Sequence, residues 1–284
     1  MLMIIVILVV FGLCLGSFVN ALVWRLREQE MELDKKKPSK KYLRDLSISK
    51  GRSMCPNCHH TLSAKDLVPV LSWLSLKGKC RYCQKPVSPQ YPVVELATMA
   101  LFVFSYAYWP YTLTGGLHSI FFGLWLVLVV GLMALIVYDL KWYLLPDKIV
   151  FPLGVVALAM AAIRVVDSGH PAKTAINEAL ALAVGGGIFY LIYQISSGKW
   201  IGGGDVKLGW LLGLVVGTPA RAMLLIFLAA LAGSLVSVPM LYLGKMKRSS
   251  TIPFGPFLIV GAIVTMLFGQ AILDWYQHMF LLGA

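Results

Sequence analysis

The chain has 284 residues, 58% hydrophobic and only 13% charged, with a formal net charge of +12 and a mean hydropathy of +0.77. Soluble domains are about half apolar and about one quarter charged, so this balance excludes an ordinary soluble domain and points to a polytopic membrane protein. Nucleic acid does not explain the positive charge, because 15 of the 25 Lys and Arg residues fall between Arg25 and Pro92 and seven more in the loops Lys141–Lys148, Lys199–Lys207 and Lys245–Arg248, leaving only Arg164, Lys173 and Arg221 for the alternate loops.

That asymmetry is the positive-inside pattern of a membrane protein, with basic loops that meet anionic lipid. Apolar runs long enough to span a bilayer are predicted near 2–24, 93–110, 118–138, 149–166, 176–195, 206–218, 221–243 and 255–276. Backbone groups in hydrocarbon must pair internally, which makes these runs helices, and the ten-residue alternation of a membrane β-barrel is absent. The predicted fold is therefore all-α, with about eight transmembrane helices and a small cytoplasmic loop domain stapled by zinc. Met1–Trp24 reads as a retained first helix, because its positive charge follows the apolar run, the reverse of a signal peptide. The span 206–218 is short enough to be tilted or partly re-entrant. Eight spans put both termini outside and all four basic loops in the cytoplasm.

The one sizeable polar region is 25–92. Glu28–Lys50 is charge-rich and reads as a solvated, loosely ordered linker. The rest carries Cys55-Pro-Asn-Cys58 and Cys80-Arg-Tyr-Cys83, two C-x-x-C pairs 21 residues apart. Four thiolates at that spacing can meet around a tetrahedral Zn²⁺, and a segment this small needs such a staple. Lys79, Arg81, Lys85 and His59 moderate the site's negative charge. Two disulfides are the competing reading, which a reducing cytoplasm disfavours; a redox C-x-x-C would occur once, not twice. Four-thiolate sites are structural rather than catalytic. Cys14, in the first span, reads as a small packed hydrophobe.

Carboxylates near spans are functional suspects. Asp167, Glu178 and Asp274 fall at the outer face and ask for no special role, whereas Asp139, Asp147 and Asp205 fall at the cytoplasmic face. Asp147, at the start of a span after Leu145-Pro146, suits a helix N-cap. Asp139 ends its span, where the helix dipole disfavours a carboxylate, so function is the better explanation. Asp205 closes Gly202-Gly203-Gly204, whose glycines permit positive φ and close backbone approach; an N-cap role is its alternative. Two adjacent carboxylates can divide the roles of general acid and base and hydrolyse a peptide without a covalent intermediate. A transporter that uses buried carboxylates would place them nearer the midplane and show repeated halves.

Taken together, Gly202-Gly203-Gly204-Asp205, Asp139 with Leu145-Pro146-Asp147, Gly16-Ser17-Phe18-Val19-Asn20 with Arg25-Leu26, Cys55 to Cys83, and Tyr91-Pro92-Val93-Val94-Glu95-Leu96 resemble the type IV prepilin peptidases, a family of G-x-G-D aspartic proteases. The resemblance covers nearly the whole chain in order. It implies an endopeptidase of the bacterial inner membrane, its active site facing the cytoplasm, that removes leader peptides from prepilins or pseudopilins of pilus and secretion systems. Asp139 and Asp205 are then the catalytic pair, and Cys55, Cys58, Cys80 and Cys83 the ligands of a structural zinc. It also implies N-methylation of the new terminus by S-adenosylmethionine; the residues that bind this cofactor are unknown, with Gly16, Asn20, Arg25 and Glu95 as suspects. The implied domains are 1–24, the first helix; 25–92, the methyltransferase-associated cysteine loop; and 93–284, the peptidase. A peptidase without methylation is the alternative, and a carboxylate-dependent transporter a remote one.

Overall fold

The computed structural model describes residues 2–48, 51–113, 115–244 and 252–280. The basic loop Lys245–Arg248 lies outside the described residues. Ten α-helices and no strand longer than a single bridge occur among those described, so the architecture is helical throughout. Among the described residues, six helices are long and apolar enough to cross a membrane: α1 (Leu2–Leu33), α5 (Gly116–Trp142), α6 (Asp147–Asp167), α7 (Pro171–Ser196), α9 (Pro219–Tyr242) and α10, from Gly255. The other two predicted spans are also helices, α4 (Gln90–Ala107) and the 14-residue α8 (Gly203–Val216). This is a multi-pass membrane protein. The chain divides into two compact units, Met1–Ala107 and Tyr108–Ala284.

In the first unit α1 and α4 run antiparallel in close contact. A Cβ on Gly12 or Gly16 would stand 2.6 Å from the Cα of Met99 or Glu95, so only glycine permits this approach. Cys14 is exposed on α1 rather than packed; at its place in the helix the exposed surface is apolar and suits lipid.

The expected loose linker is not what forms after Trp24. α1 continues nine residues further, to Leu33, and a short helix α2 (Lys40–Asp45) follows. Polar side chains organise the segment. The buried Arg25 guanidinium donates to the carbonyls of Ser47, Ile48 and Gly51, Gln29 donates to Leu46 O, and Tyr42 Oη donates to Glu28. Glu32 accepts from Ser39 N at 2.8 Å, and Ser39 caps α2. High charge was the reason to expect disorder; here the charges satisfy backbone groups instead.

In the second unit α7 and α8 are the tightest pair. Gly185 faces Gly209 and Gly213 with backbone atoms 2.7–3.1 Å from where a Cβ would lie. At the far end of α8, Arg164 of α6 forms an ion pair with Glu178 of α7 and donates to the terminal carbonyls of Leu214 and Val215. Glu178, expected at the outer face with no special role, is thus a buried structural partner. Orphan carbonyls at a helix C-terminus need such donors, and Gly217 closes the helix in a left-handed cap against Arg164.

Candidate functional site

Asp139 lies in the last turn of α5, which ends when Tyr143 adopts a left-handed conformation and returns its N–H to Asp139 O at 2.9 Å. The backbone carbonyl is thereby satisfied, and the side chain takes no part in capping. The carboxyl is buried, 4% exposed, and its Oδ2 has no hydrogen-bond partner among the described residues. A buried polar atom without a partner is costly.

Asp205 is not the N-cap of α8. Gly202 is, and Asp205 sits three residues on, in the first turn, where the dipole favours a carboxylate. Its backbone N–H returns to Gly202 O at 3.1 Å, and its carboxylate faces the Gly202 N–H. The glycines do not use positive φ either. They serve close approach: a Cβ on Gly204 would meet Leu145 at 3.2–3.5 Å. Leu145 also lies 3.5 Å from the same point on Gly255, the first residue of α10 (Gly255–Phe280). The loop after α5, the glycine turn and the start of α10 therefore converge on Leu145. Asp139 and Asp205 approach closely enough for their charges to interact.

Gly255 completes this corner, and the sequence reading missed it. An added Cβ would lie 2.5 Å from Asp139 Oδ2 and 3.4 Å from Cγ, and the Gly255 N–H faces the same carboxyl. The only advance signal was the Phe254-Gly255-Pro256 stretch at the start of the last span. Asp147 differs from expectation as well. Pro146 occupies the N-cap of α6, and Asp147, the first helical residue, pairs with Lys207 Nζ at 2.6 and 2.9 Å. This exposed pair joins the segments after the two aspartates but lies outside the buried corner.

The four cysteines form two matching knuckles. The N–H groups of Cys55 and Cys80 donate to His60 O and Lys85 O, while those of His59 and Gln84 donate back to Cys55 O and Cys80 O. His59 and Gln84 take φ of 56° and 58°, so each chain turns back directly after its second cysteine. One sulfur of each residue lies within 4.8 Å of all the others, and Cys55 and Cys83 Sγ are 4.0 Å apart. Zn–S bonds of about 2.3 Å put tetrahedral thiolates roughly 3.8 Å apart, so the donor set fits structural zinc. Burial pushes the Cys55 thiol up to about 12. Burial also opposes ionisation of Cys80, but the N–H groups of Cys83 and Tyr82 outweigh it and bring that thiol down to about 7. Asp66, in a one-turn helix (Ala64–Asp66), braces the pair of knuckles: it accepts from Arg81 at 2.7 Å, Tyr82 Oη at 2.9 Å and Ser63 Oγ at 2.7 Å. Arg81 is thus committed to Asp66 rather than to the thiolates.

Of the suspects for cofactor binding, Gly16 is a packing residue, and Asn20 spends its amide on Gly16 O and Tyr91 O and accepts from Gln90. Arg25 and Glu95 line a cavity of about 130 Å³ beside the cysteine knuckles.

Fold and site together define a helical membrane protein with paired carboxylates and a separate four-cysteine module. The bacterial peptidase A24 N-terminal domain matches residues 10–109 and the type IV leader peptidase family matches residues 126–238. A prepilin leader peptidase/N-methyltransferase of Aeromonas salmonicida is 34% identical over 94% of this chain and 91% of its own. One from Stutzerimonas stutzeri is 31% identical over 94% and 91%, and a type 4 prepilin-like proteins leader peptide-processing enzyme of Escherichia coli is 34% identical over 90% of each chain. No solved structure gives a significant match. The chain belongs to the type IV leader peptidase family.

Proposed function

We propose that this protein is a membrane-embedded aspartic endopeptidase that removes the leader peptides of prepilins or pseudopilins and N-methylates the new terminus. The observation that carries the peptidase reading is the convergence of Asp139 and Asp205 from two helices on one corner, with a buried, unpartnered carboxyl oxygen. Like charges held close favour a shared proton, one group neutral and one ionised. The ionised carboxylate takes a proton from water as the water oxygen bonds to the scissile carbonyl carbon. The neutral partner gives its proton to the carbonyl oxygen. Collapse of the tetrahedral species breaks the C–N bond: the proton taken from water goes to the departing amine, and one hydroxyl of the gem-diol returns its proton to the other carboxylate as the carbonyl re-forms.

Zinc held by Cys55, Cys58, Cys80 and Cys83 stabilises the polar module and takes no part in hydrolysis. The methyl group comes from S-adenosylmethionine when that cofactor is bound. Charge asymmetry supports eight spans with the aspartates facing the cytoplasm of an inner membrane. The division of labour broadly follows the sequence domains, with methylation in 25–92 and its flanking helices α1 and α4 and cleavage in the rest of 93–284.

The test incubates membranes containing the wild type, Asp139→Ala or Asp205→Ala with a prepilin. Cleavage by the wild type alone is expected, and full cleavage by both variants contradicts the proposal. Mass spectrometry of the product after addition of S-adenosylmethionine checks methylation, expected as ~14 Da added; a product cleaved but unchanged in mass leaves a peptidase alone.

A further inference from the structure

The polar module between α1 and α4 carries one apolar surface that its own folding leaves uncovered. Leu67, Val68, Leu71 and Leu74 are 40–65% exposed, four large apolar side chains within eight residues. Single exposed leucines are ordinary, whereas a cluster of them marks a contact surface. Leu71 and Leu74 lie on the outer side of α3 (Leu71–Ser75), and Leu67 and Val68 precede it. The inner side, Ser72, Trp73 and Leu76, faces a cavity that Ser17, Ala21 and Trp24 of α1 also line. This is inside out for a segment in water, with leucines outward and a serine inward. Ser75, also outward, turns its hydroxyl back to Ser72 O at 3.0 Å, as a hydroxyl must where water is scarce. The backbone is paired in the same way: Ser72 N donates to Val68 O, Leu74 N to Val70 O and Leu76 N to Ser72 O.

Glu95 sets how deep this surface lies. Its Cα sits 2.6 Å from where a Cβ on Gly16 would be. Gly16 stands eight residues, about 12 Å of helix axis, inside Trp24 at the end of the apolar run. The Glu95 carboxylate accepts the Val70 N–H at 2.7 Å, so side chain and hydrogen bond together reach no more than about 8 Å. Val70 therefore lies no further from the bilayer centre than Trp24 does, and tryptophans favour the membrane–water interface. Beside Gly16 and Glu95 in the chain, Phe18 of α1 and Val93 and Leu96 of α4 are exposed as well. The apolar surface of the two helices and that of the turn share one level.

Charge agrees with depth. The residues after the helix include Lys77 and Lys79, both exposed, and no acid occurs between Leu67 and Val94. An apolar face edged by lysines matches the boundary between acyl chains and anionic headgroups.

We propose that α3 and the turn before it form a membrane-binding surface: Leu67, Val68, Leu71 and Leu74 enter the acyl boundary of the leaflet on the basic side, and Lys77 and Lys79 meet its anionic headgroups. The four-cysteine module is then seated on the bilayer by a wedge of its own, in addition to its tethers to α1 and α4. The inference stands apart from both cleavage and methylation.

The experiment uses purified, zinc-loaded full-length protein in nanodiscs of phosphatidylethanolamine and phosphatidylglycerol whose acyl chains carry a diazirine near the ester. After illumination trypsin releases Asp66–Lys77 as one peptide, because Lys65 and Lys77 bound it, and Met1–Arg25 as another. Lipid adducts on both are expected in the wild type. Adducts on Met1–Arg25 with none on Asp66–Lys77 overturn the proposal. Leu71→Glu combined with Leu74→Glu changes two exposed positions and sets charge against the acyl boundary, so adducts on Asp66–Lys77 should fall at least about fivefold while those on Met1–Arg25 persist. An undiminished yield on Asp66–Lys77 overturns the surface. Leu74→p-benzoylphenylalanine, illuminated in native membranes, identifies the occupant. A phospholipid adduct is expected; a covalent dimer of this chain or a cross-linked second protein assigns the face to that partner and refutes the proposal.

Discussion

Gly255→Ala probes the corner that holds Asp139. The new methyl would be built 2.5 Å from Asp139 Oδ2, and relief to an ordinary contact of 3.4 Å requires a movement of about 0.9 Å. Three groups crowd that point: Oδ2, the carboxyl carbon at 3.4 Å and Leu145 Cδ2 at 3.5 Å. Leu145 also packs on Gly204, so it transmits rather than absorbs the displacement. A misplacement of about 1 Å at reacting groups costs on the order of 10²-fold in rate, or ~2.7 kcal/mol in activation free energy. The assay is steady-state cleavage of a prepilin by purified enzyme, with kcat and KM separated. The expected result is kcat lowered about a hundredfold with KM changed little, because the geometry lost is one needed in the transition state. Gly123→Ala on the same helix as Asp139 is the control; nothing lies within 4 Å of its Cβ position, and alanine favours a helix interior. A Gly255→Ala enzyme with wild-type kcat refutes the claim that this corner positions Asp139.

Three further outcomes follow from the structure. Cys58→Ser reduces bound zinc well below one per chain, measured by atomic emission, and zinc affinity rises with pH because metal must displace protons from thiols such as Cys55, pushed up to about 12; affinity independent of pH contradicts this. Asp66 is held well below the usual carboxylate range: burial opposes ionisation, but Arg81 and the Ser63 and Tyr82 hydroxyls outweigh it. Its stabilisation is therefore complete above the unfolded value of about 3.9 and is lost as pH falls through the folded one. The stability gap between wild type and Asp66→Asn, followed by denaturant unfolding, should be constant above about pH 5 and shrink below about pH 4; a gap that widens in acid has the wrong sign. Arg164→Ala strands Glu178, whose side chain is 7% exposed, together with two carbonyls at the end of α8. A loss of ~3–5 kcal/mol is expected in detergent unfolding, and a loss under ~1 kcal/mol argues that water enters this cluster.

Much of this arrangement was legible along the chain because bilayer length and charge asymmetry act locally. All eight predicted spans are helices, with ends displaced where polar contacts intervene. α1 runs past Trp24 because Arg25, Gln29 and Glu32 find carbonyl and amide partners 7 to 22 residues on, which a count of charges does not reveal. Asp139 was readable as an anomaly, a carboxylate at a helix C-terminus. Asp205 was readable from its glycines, though they serve contact with Leu145 rather than positive φ. The N-cap expected of Asp147 and the alternative N-cap weighed for Asp205 are both excluded for one reason: Pro146 and Gly202 occupy those positions. Gly255 and Glu178 were not readable, since their importance lies in what helices distant in sequence bring to them.

The central claim is that Asp139 and Asp205 together perform the cleavage. The most direct test is single-turnover cleavage of a prepilin by purified Asp139→Asn and Asp205→Asn enzymes, each verified by helical content and zinc loading. These variants keep shape and remove the titratable group. The expectation is that each loses at least ~10³-fold in rate and that the double variant loses little more, because the pair acts as one unit. Wild-type cleavage by either single variant would contradict the account.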